Sequence, residues 1–399
     1  MAAAGFADLD FAGFHRDDLP QRLASGNGAI AARALARRGS LAFRVGGEAW
    51  TYRPAGQGVN VVAGDEAADT VIELDREAWQ GLVHDYESAP GLLYARRVRC
   101  VRGDAMAFVL WEPALRALYS GRPVYDAAEP LLDDAGRALD ASRVFSDGDD
   151  VDAMARFLRS AGYLFVRGLF AEGEVAAFLR GAEAMRRAAV KGDRVSWWAK
   201  NAAGEEVLCR VTRAKDHPAL ATLYGEARLR RIVERAEPGL VPRQGEGNGV
   251  TVIFKNPGVA EGLSDLPWHR DCGMGGHAVM CPVVIASLYL TPANPDTGEL
   301  AFLPGSHRRA CGYMDATAEP PRAVHFDARP GDVSLHYGDV MHAAPPPRAA
   351  AGPWRISAVT GYARPDARPH GGARSYNDVL HQREDGQIEH LTRVAERAV

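Results

Sequence analysis

Apolar and polar positions alternate along SLAFRVGGEAWTYRP (residues 40–54): Leu41, Phe43 and Val45, then Trp50 and Tyr52 beyond a Gly-Gly pair. Period-two alternation on both sides of two glycines predicts a β-hairpin. GVNVVAG (58–64) and DTVIELD (69–75) read as further strands, and REAWQGLVHDYESAPGLLYA (76–95) contains at least one helix. VRCVRGDA and the apolar MAFVLWEPALRALYSG follow. Residues 1–135 are therefore expected to form a small α+β domain. The polar, acidic stretch 136–150 reads as a linker. Beyond it, DVDAMARFLRSAGYLFVRGLF predicts a helix, a glycine stop and a strand, and residues 171–189 have the apolar spacing of a second helix. From residue 250 the chain turns to short apolar runs cut by Gly and Pro: TVIFKNPG, VVIASLYLTPANPDTG, LAFLPGSH, DVSLHYGDVMH, RISAVTGYA. Many short strands between tight turns predict a mainly β second domain over 151–399, of the sandwich or jelly-roll kind, with flanking helices.

Composition narrows the function classes. The net charge is −4, from 47 basic and 51 acidic residues, so no basic surface argues for nucleic acid as the partner. No apolar run is long enough for a membrane span. The N-terminus is acidic where a secretory signal would be basic. Five cysteines, at 100, 209, 272, 281 and 311, lack zinc-type spacing and do not make a disulfide scaffold. A cytoplasmic location with reduced thiols is the expectation.

The candidate chemistry begins in PWHRDCG (267–273). His269 and Asp271 are two apart, so in an extended segment both side chains face the same way. A third ligand is sought in DVSLHYGDVMHAAPPP. His342, at a strand end after a turn, is the better choice. His336 lies between Leu335 and Tyr337 and reads as a packed histidine or as an outer group beside the ligands. Two histidines and one carboxylate occupy one face of an octahedral ion and leave three positions open, the arrangement suited to non-haem Fe(II) and O2. Zinc favours tetrahedral closure by His or Cys. Cys272 is not expected to join the set, since a thiolate selects softer metals. Thirteen residues after His342, Arg355 and Ser357 again stand two apart. Arginine binds carboxylates in a bidentate manner and the serine hydroxyl adds a donor, a pair suited to the far end of a chelating dicarboxylate.

These pieces occur in a recognisable order. SAGYLFVRGLF, PWHRD, TGELAFLPGSHR, PGDVSLHYGDVMH and Arg355 together resemble the phytanoyl-CoA dioxygenase family of Fe(II)/2-oxoglutarate-dependent oxygenases over residues 150–365. The resemblance implies a double-stranded β-helix. It also implies iron on His269, Asp271 and His342, and 2-oxoglutarate on Arg355 and Ser357, with Lys255 near the co-substrate. The implied reaction consumes 2-oxoglutarate and O2, releases succinate and CO2, and hydroxylates or otherwise oxidises an unactivated C–H bond. Asp271 favours hydroxylation over halogenation, because related halogenases have a small residue there. Two features depart from the family pattern: Arg270 inside the His-x-Asp motif, and the stretch PPPRAAAGPW after His342.

Substrate contacts are less specific. Trp197, Trp198, Arg210 and Tyr289 are candidates to line an apolar pocket or meet an anionic group; core packing and a solvated charge are the bland readings. Residues 20–125 loosely resemble the sterol carrier protein type 2 family, which implies a lipid-binding tunnel or else a dimerisation module with a filled core. Together the domains suggest an apolar small molecule or an acyl thioester as substrate, in a monomer or homodimer. The alternatives are a non-redox cupin-like metalloenzyme and an inactive lipid-binding protein.

Overall fold

The computed structural model describes residues 6–193, 195–243, 249–259, 266–273, 282–315, 318–367 and 390–398. The N-terminal part is a five-stranded sheet in the order β3-β2-β1-β4-β5: β1 Leu41–Val45, β2 Glu48–Ala55, β3 Gly58–Ala63, β4 Thr70–Leu74 and β5 Val98–Arg102. β1 pairs antiparallel with β2 and parallel with β4. The hairpin turn is Gly46-Gly47, with φ of 59° and 90°, values a side chain would oppose. Helix Ala105–Ser120 packs on this sheet. It starts at Asp104, whose carboxylate accepts the Met106 N–H at 2.8 Å, and stops at Gly121 with φ of 72°. Phe43 and Tyr52 from the sheet and Phe108 and Trp111 from the helix close the core together with Phe14, Trp79 and Tyr119. The segment predicted to hold at least one helix holds two, Arg76–Val83 and Ala89–Tyr94. The far C-terminus returns to this part of the molecule: Leu391 and Ala395 of helix Leu391–Glu396 join its core, and Ala398 accepts the Cys100 N–H at 2.6 Å.

The rest is a β-rich fold with flanking helices. Its strands are β6 Phe145–Ser146, β7 Tyr163–Arg167, β8 Ser196–Lys200, β9 Glu206–Val211, β10 Val241–Pro242, β11 Thr251–Phe254, β12 Leu266–His269, β13 Val284–Tyr289, β14 Ala301–Phe302, β15 Val324–His325, β16 Val333–Tyr337, β17 His342–Ala344 and β18 Ile356–Ala363. The large sheet runs β6-β7-β16-β13-β18-β11-β9-β8, with β10 also on β18; the small one runs β12-β17-β14-β15. The two sheets meet face to face: Phe302 of the small sheet stacks on Tyr163 of the large one at 5.0 Å between ring centres. Helices Val151–Ala161, Glu172–Ala188 and Ala227–Ala236 send Leu158, Phe178 and Ile232 into the same core. Val151–Ala161 follows the rules for helix ends, with Asp150 capping its start and Gly162 (φ 90°) its finish. Among the described residues no helix is long and apolar enough to cross a membrane. Cys100, Cys209, Cys272 and Cys311 form no disulfide with one another; Cys281 lies outside the described residues.

Candidate metal centre between the sheets

His269 and His342 are direct partners across the antiparallel β12–β17 pair. Their ring centres are 4.2 Å apart. Asp271 reaches the same point by a route that differs from the expected one. The segment is not extended through residue 271: β12 ends at His269, and Asp271 opens a single 3-10 turn, Asp271–Gly273. The turn swings the carboxylate back over the histidines. One Asp271 Oδ1 lies 3.6 Å from His269 Nε2 and 3.8 Å from His342 Nε2. The three ligand atoms lie within 4.8 Å of one another, room for one ion.

The histidines are held for ligation. His269 Nδ1 donates to the Pro267 carbonyl at 2.7 Å and His342 Nδ1 to that of Val340 at 3.1 Å. A carbonyl only accepts, so Nδ1 carries the proton and each Nε2 turns a lone pair toward the partner residues. Burial pushes the His342 imidazolium down, and the neighbouring His269 adds to this against the pull of Asp271, which favours the neutral ring a metal requires. Burial alone would raise the Asp271 carboxyl. Protonated imidazoles at His342, His269 and His336 would outweigh it and hold the group well below the usual carboxylate range. Asp271 keeps 40% of its side-chain surface open, while the two histidines are almost wholly covered.

His336, on β16 of the opposite sheet, points at the same carboxylate. Its Nε2 is 3.6 Å from Asp271 Oδ2, and among the described residues neither ring nitrogen has a hydrogen-bond partner. It stands beside the triad, on the far oxygen of the carboxylate.

Arg355 is 2% exposed. Its surroundings come from the turn in TGELAFLPGSH: Arg355 N–H donates to the Thr297 carbonyl at 2.8 Å, and Nη1 to the Glu299 carbonyl at 2.7 Å. Nε has no partner, and among the described residues no carboxylate pairs with this guanidinium. Burial lowers its pKa to about 10, with Tyr289 and Glu299 opposing. Ser357 is buried on β18, which begins just after Arg355, and lies opposite Tyr289 across the β13–β18 pair. Tyr289 is buried as well, with its hydroxyl 3.0 Å from Ser334 Oγ. Buried Lys255 donates from its backbone to the Arg355 carbonyl at 2.9 Å and from Nζ to the Ala344 carbonyl, two residues beyond His342. Arg355 is thus linked to the triad through β17 and the Thr297–Phe302 segment, whose Phe302 pairs with His342. Glu299 was not among the residues expected from sequence. Its carboxylate pairs with His325 at 3.0 Å while its carbonyl holds Arg355.

The substrate candidates divide. Trp197 is buried in the apolar core of the N-terminal part, with the Arg210 guanidinium 4.1 Å over its ring. These two are engaged with one another. Trp198 is half-buried against the other core, and its indole N–H donates to Ser196 Oγ at 2.9 Å. Tyr289 alone of the four borders Arg355.

Residues 158–355 match the family model described as phytanoyl-CoA dioxygenase (PhyH). Enzymes of that family depend on Fe(II), 2-oxoglutarate and O2. The matched span includes every triad residue and ends on Arg355. Solved structures with similar coordinates include AviO1 from Streptomyces viridochromogenes Tue57, 26% identical, covering 55% of this chain and 98% of that one, with a TM-score of 0.43. The non-heme alpha ketoglutarate dependent carbocyclase SnoK from nogalamycin biosynthesis is 21% identical, covers 58% and 90%, and has a TM-score of 0.45. EctD from S. alaskensis with 2-oxoglutarate and 5-hydroxyectoine is 20% identical, covers 55% and 77%, and has a TM-score of 0.42. No curated protein matches in sequence.

Proposed function

We propose that this protein is an Fe(II)- and 2-oxoglutarate-dependent oxygenase that oxidises an unactivated C–H bond of an apolar small molecule or a carrier-linked acyl group. The observation that carries this reading is Arg355. A buried guanidinium without an anion is costly, and linking it to a two-histidine, one-carboxylate cluster makes sense if an anion joins it there. A dicarboxylate that chelates an ion on the triad has such an anion at its far end. In this reading Arg355 and Ser357 take the far carboxylate, and His269, Asp271 and His342 take the iron.

The donor set fits Fe(II): two neutral imidazoles and one carboxylate, with the remaining face open. When bound, iron with 2-oxoglutarate and O2 supplies an oxidation in which 2-oxoglutarate leaves as succinate and CO2 and one oxygen atom goes to the substrate. The chain contributes positioning. The carbonyls of Pro267 and Val340 fix the two ring tautomers. Asp271 supplies the one carboxylate of the set from the turn after β12. Tyr289 walls the co-substrate side, and Lys255 ties the Arg355 strand to the His342 strand.

Residues 1–135 are read here as an α+β unit that also takes helix Leu391–Glu396 into its core; the 136–150 stretch leads from it and contributes β6 to the oxygenase unit, which we take as a double-stranded β-helix. Phe14, Phe43, Tyr52, Trp79, Phe108, Trp111 and Tyr119 fill the interior of the first unit. That packing supports a structural role over a lipid tunnel. Anaerobic addition of 2-oxoglutarate to the Fe(II)-loaded protein tests the reading. A visible charge-transfer band that is absent in His269→Ala, and succinate formation once O2 is admitted, are expected. Bound iron with neither signal would point to the non-redox alternative.

A further inference from the structure

Arg270 stands between two members of the triad, and its side chain leaves the site in the opposite direction. It is 9% exposed. Nη1 donates to Asp339 Oδ1 at 2.6 Å, and Nη2 donates to Oε1 of Glu112. Glu112 belongs to helix Ala105–Ser120, the central helix of the N-terminal part. Its second oxygen accepts the Ala89 N–H at 3.0 Å, at the first turn of helix Ala89–Tyr94. Asp339 lies in the turn that leads to His342, and it also receives Arg122 at 2.8 Å and Arg116 at 3.4 Å. Both of those arginines pair with Asp85, at 3.1 and 2.7 Å. Three cations and three anions thus close on one another inside the protein. The same two segments are stitched by their backbones, Cys272 N–H to the Gly338 carbonyl at 3.0 Å.

The arrangement touches both ligand-bearing segments, 269–271 through Arg270 and 339–342 through Asp339. Every other member comes from residues before 123, outside the 158–355 family match. Buried charge networks are poor sources of stability, because desolvation offsets much of their attraction; what they fix is geometry. Here the geometry that is fixed is the approach of the Asp271 turn to the His342 strand.

We propose that the N-terminal domain sets the metal affinity of the triad, with Glu112 as a positioning residue that acts through Arg270. This rests on reading His269, Asp271 and His342 as a metal site. Outer partners that orient ligands typically contribute 10–100-fold to metal affinity. Glu112→Gln keeps the shape and an acceptor for Ala89 but removes the charge facing Arg270.

The test is Co(II) titration of the metal-free full-length chain, followed by visible absorption and by circular dichroism for the fold. Wild type is expected to take one Co(II), and His269→Ala none. Glu112→Gln should bind roughly 10–100-fold more weakly with a changed Co(II) spectrum. Adding Glu112→Gln to Arg270→Met should produce no further loss, the signature of a residue that acts only through the other. If Glu112→Gln does not fold, Arg270→Lys serves instead: its single ammonium cannot span Glu112 and Asp339 as the fork does, and the same weakening is expected. An affinity within twofold of wild type in whichever of these variants folds, or full additivity in the double variant, overturns the proposal. A wild-type chain whose Co(II) binding is indifferent to His269→Ala overturns the metal-site reading itself, and the proposal with it.

Discussion

The His336 imidazole lies 3.6 Å from the Asp271 carboxylate, across the gap between the two sheets, and has no hydrogen-bond partner among the described residues. A buried ring with both nitrogens unsatisfied costs stability, so its replacement should be mild for the fold. The same ring faces the outer oxygen of Asp271 and bounds the space in which that carboxylate sits. His336→Leu is therefore expected to leave the melting temperature unchanged or raised and to weaken Co(II) or Mn(II) binding by roughly tenfold. A lower melting temperature with undiminished metal affinity would reduce His336 to core packing.

Arg355 yields a similar split with a different ligand. Arg355→Met removes a buried cation that pairs with no carboxylate among the described residues, so the co-substrate-free protein should be at least as stable as wild type. The 2-oxoglutarate KM should rise by about 100-fold, close to 3 kcal/mol, the scale of a charge-assisted bidentate contact. Metal affinity in the absence of 2-oxoglutarate should stay within a few-fold. Steady-state kinetics alongside a metal titration separates the two effects.

His15 and His307 make stability fall in mild acid. His15 is buried under Trp50 and Trp79. Its Nδ1 donates to the Phe11 carbonyl at 2.6 Å, and its Nε2 accepts from Tyr52 Oη at 2.6 Å. Burial lowers its pKa from 6.5 to about 4, against the pull of the Phe11 carbonyl. His307, stacked on Tyr337, is lowered to about 4 by burial as well. Both folded values lie below the unfolded one. Between pH 6.5 and 4 the unfolded chain takes up protons that the folded one refuses, and stability is lost as pH falls through that window. Each site accounts for about 3 kcal/mol by its lower end. Urea melts at pH 7.5 and 5.0 should show the drop, and His15→Gln should reduce it. An unchanged slope in that variant would mean that His15 titrates normally.

Much of the site was legible because its members are close in sequence or carry distinctive chemistry. His269 and Asp271 are two residues apart, and His342 and Arg355 follow strands bounded by Gly and Pro, so residue type and order sufficed. The Gly46-Gly47 hairpin was legible for the same local reason. What was not legible came from long-range pairing. Arg270 looked like a departure from a motif, and its partner Glu112 is 158 positions away. Nothing in either local pattern links them. Asp271 was expected on an extended strand because i, i+2 spacing has that simplest reading; the strand's end at His269 is set by its pairing with His342, which spacing does not encode. The sequence pattern assigns all of 151–399 to the second domain, yet Leu391 and Ala395 of helix Leu391–Glu396 pack with the first.

Trp197 supplies the last test, because two roles for it predict opposite outcomes. As a pocket wall, its loss should alter substrate KM and leave stability nearly untouched. The structure places its ring in the core of the N-terminal part with Arg210 over one face. Trp197→Ala then removes a large buried ring and leaves a cavity, at a cost of about 3 kcal/mol or more. Trp197→Phe keeps most of the volume and an aromatic face for Arg210, so it should recover the greater part of that loss. None of His269, Asp271, His342 and Arg355 belongs to this core, so 2-oxoglutarate binding by the folded fraction should change far less than stability in both. Denaturant melts of the three proteins decide between the roles. Equal stabilities with a shifted KM would return Trp197 to the substrate pocket.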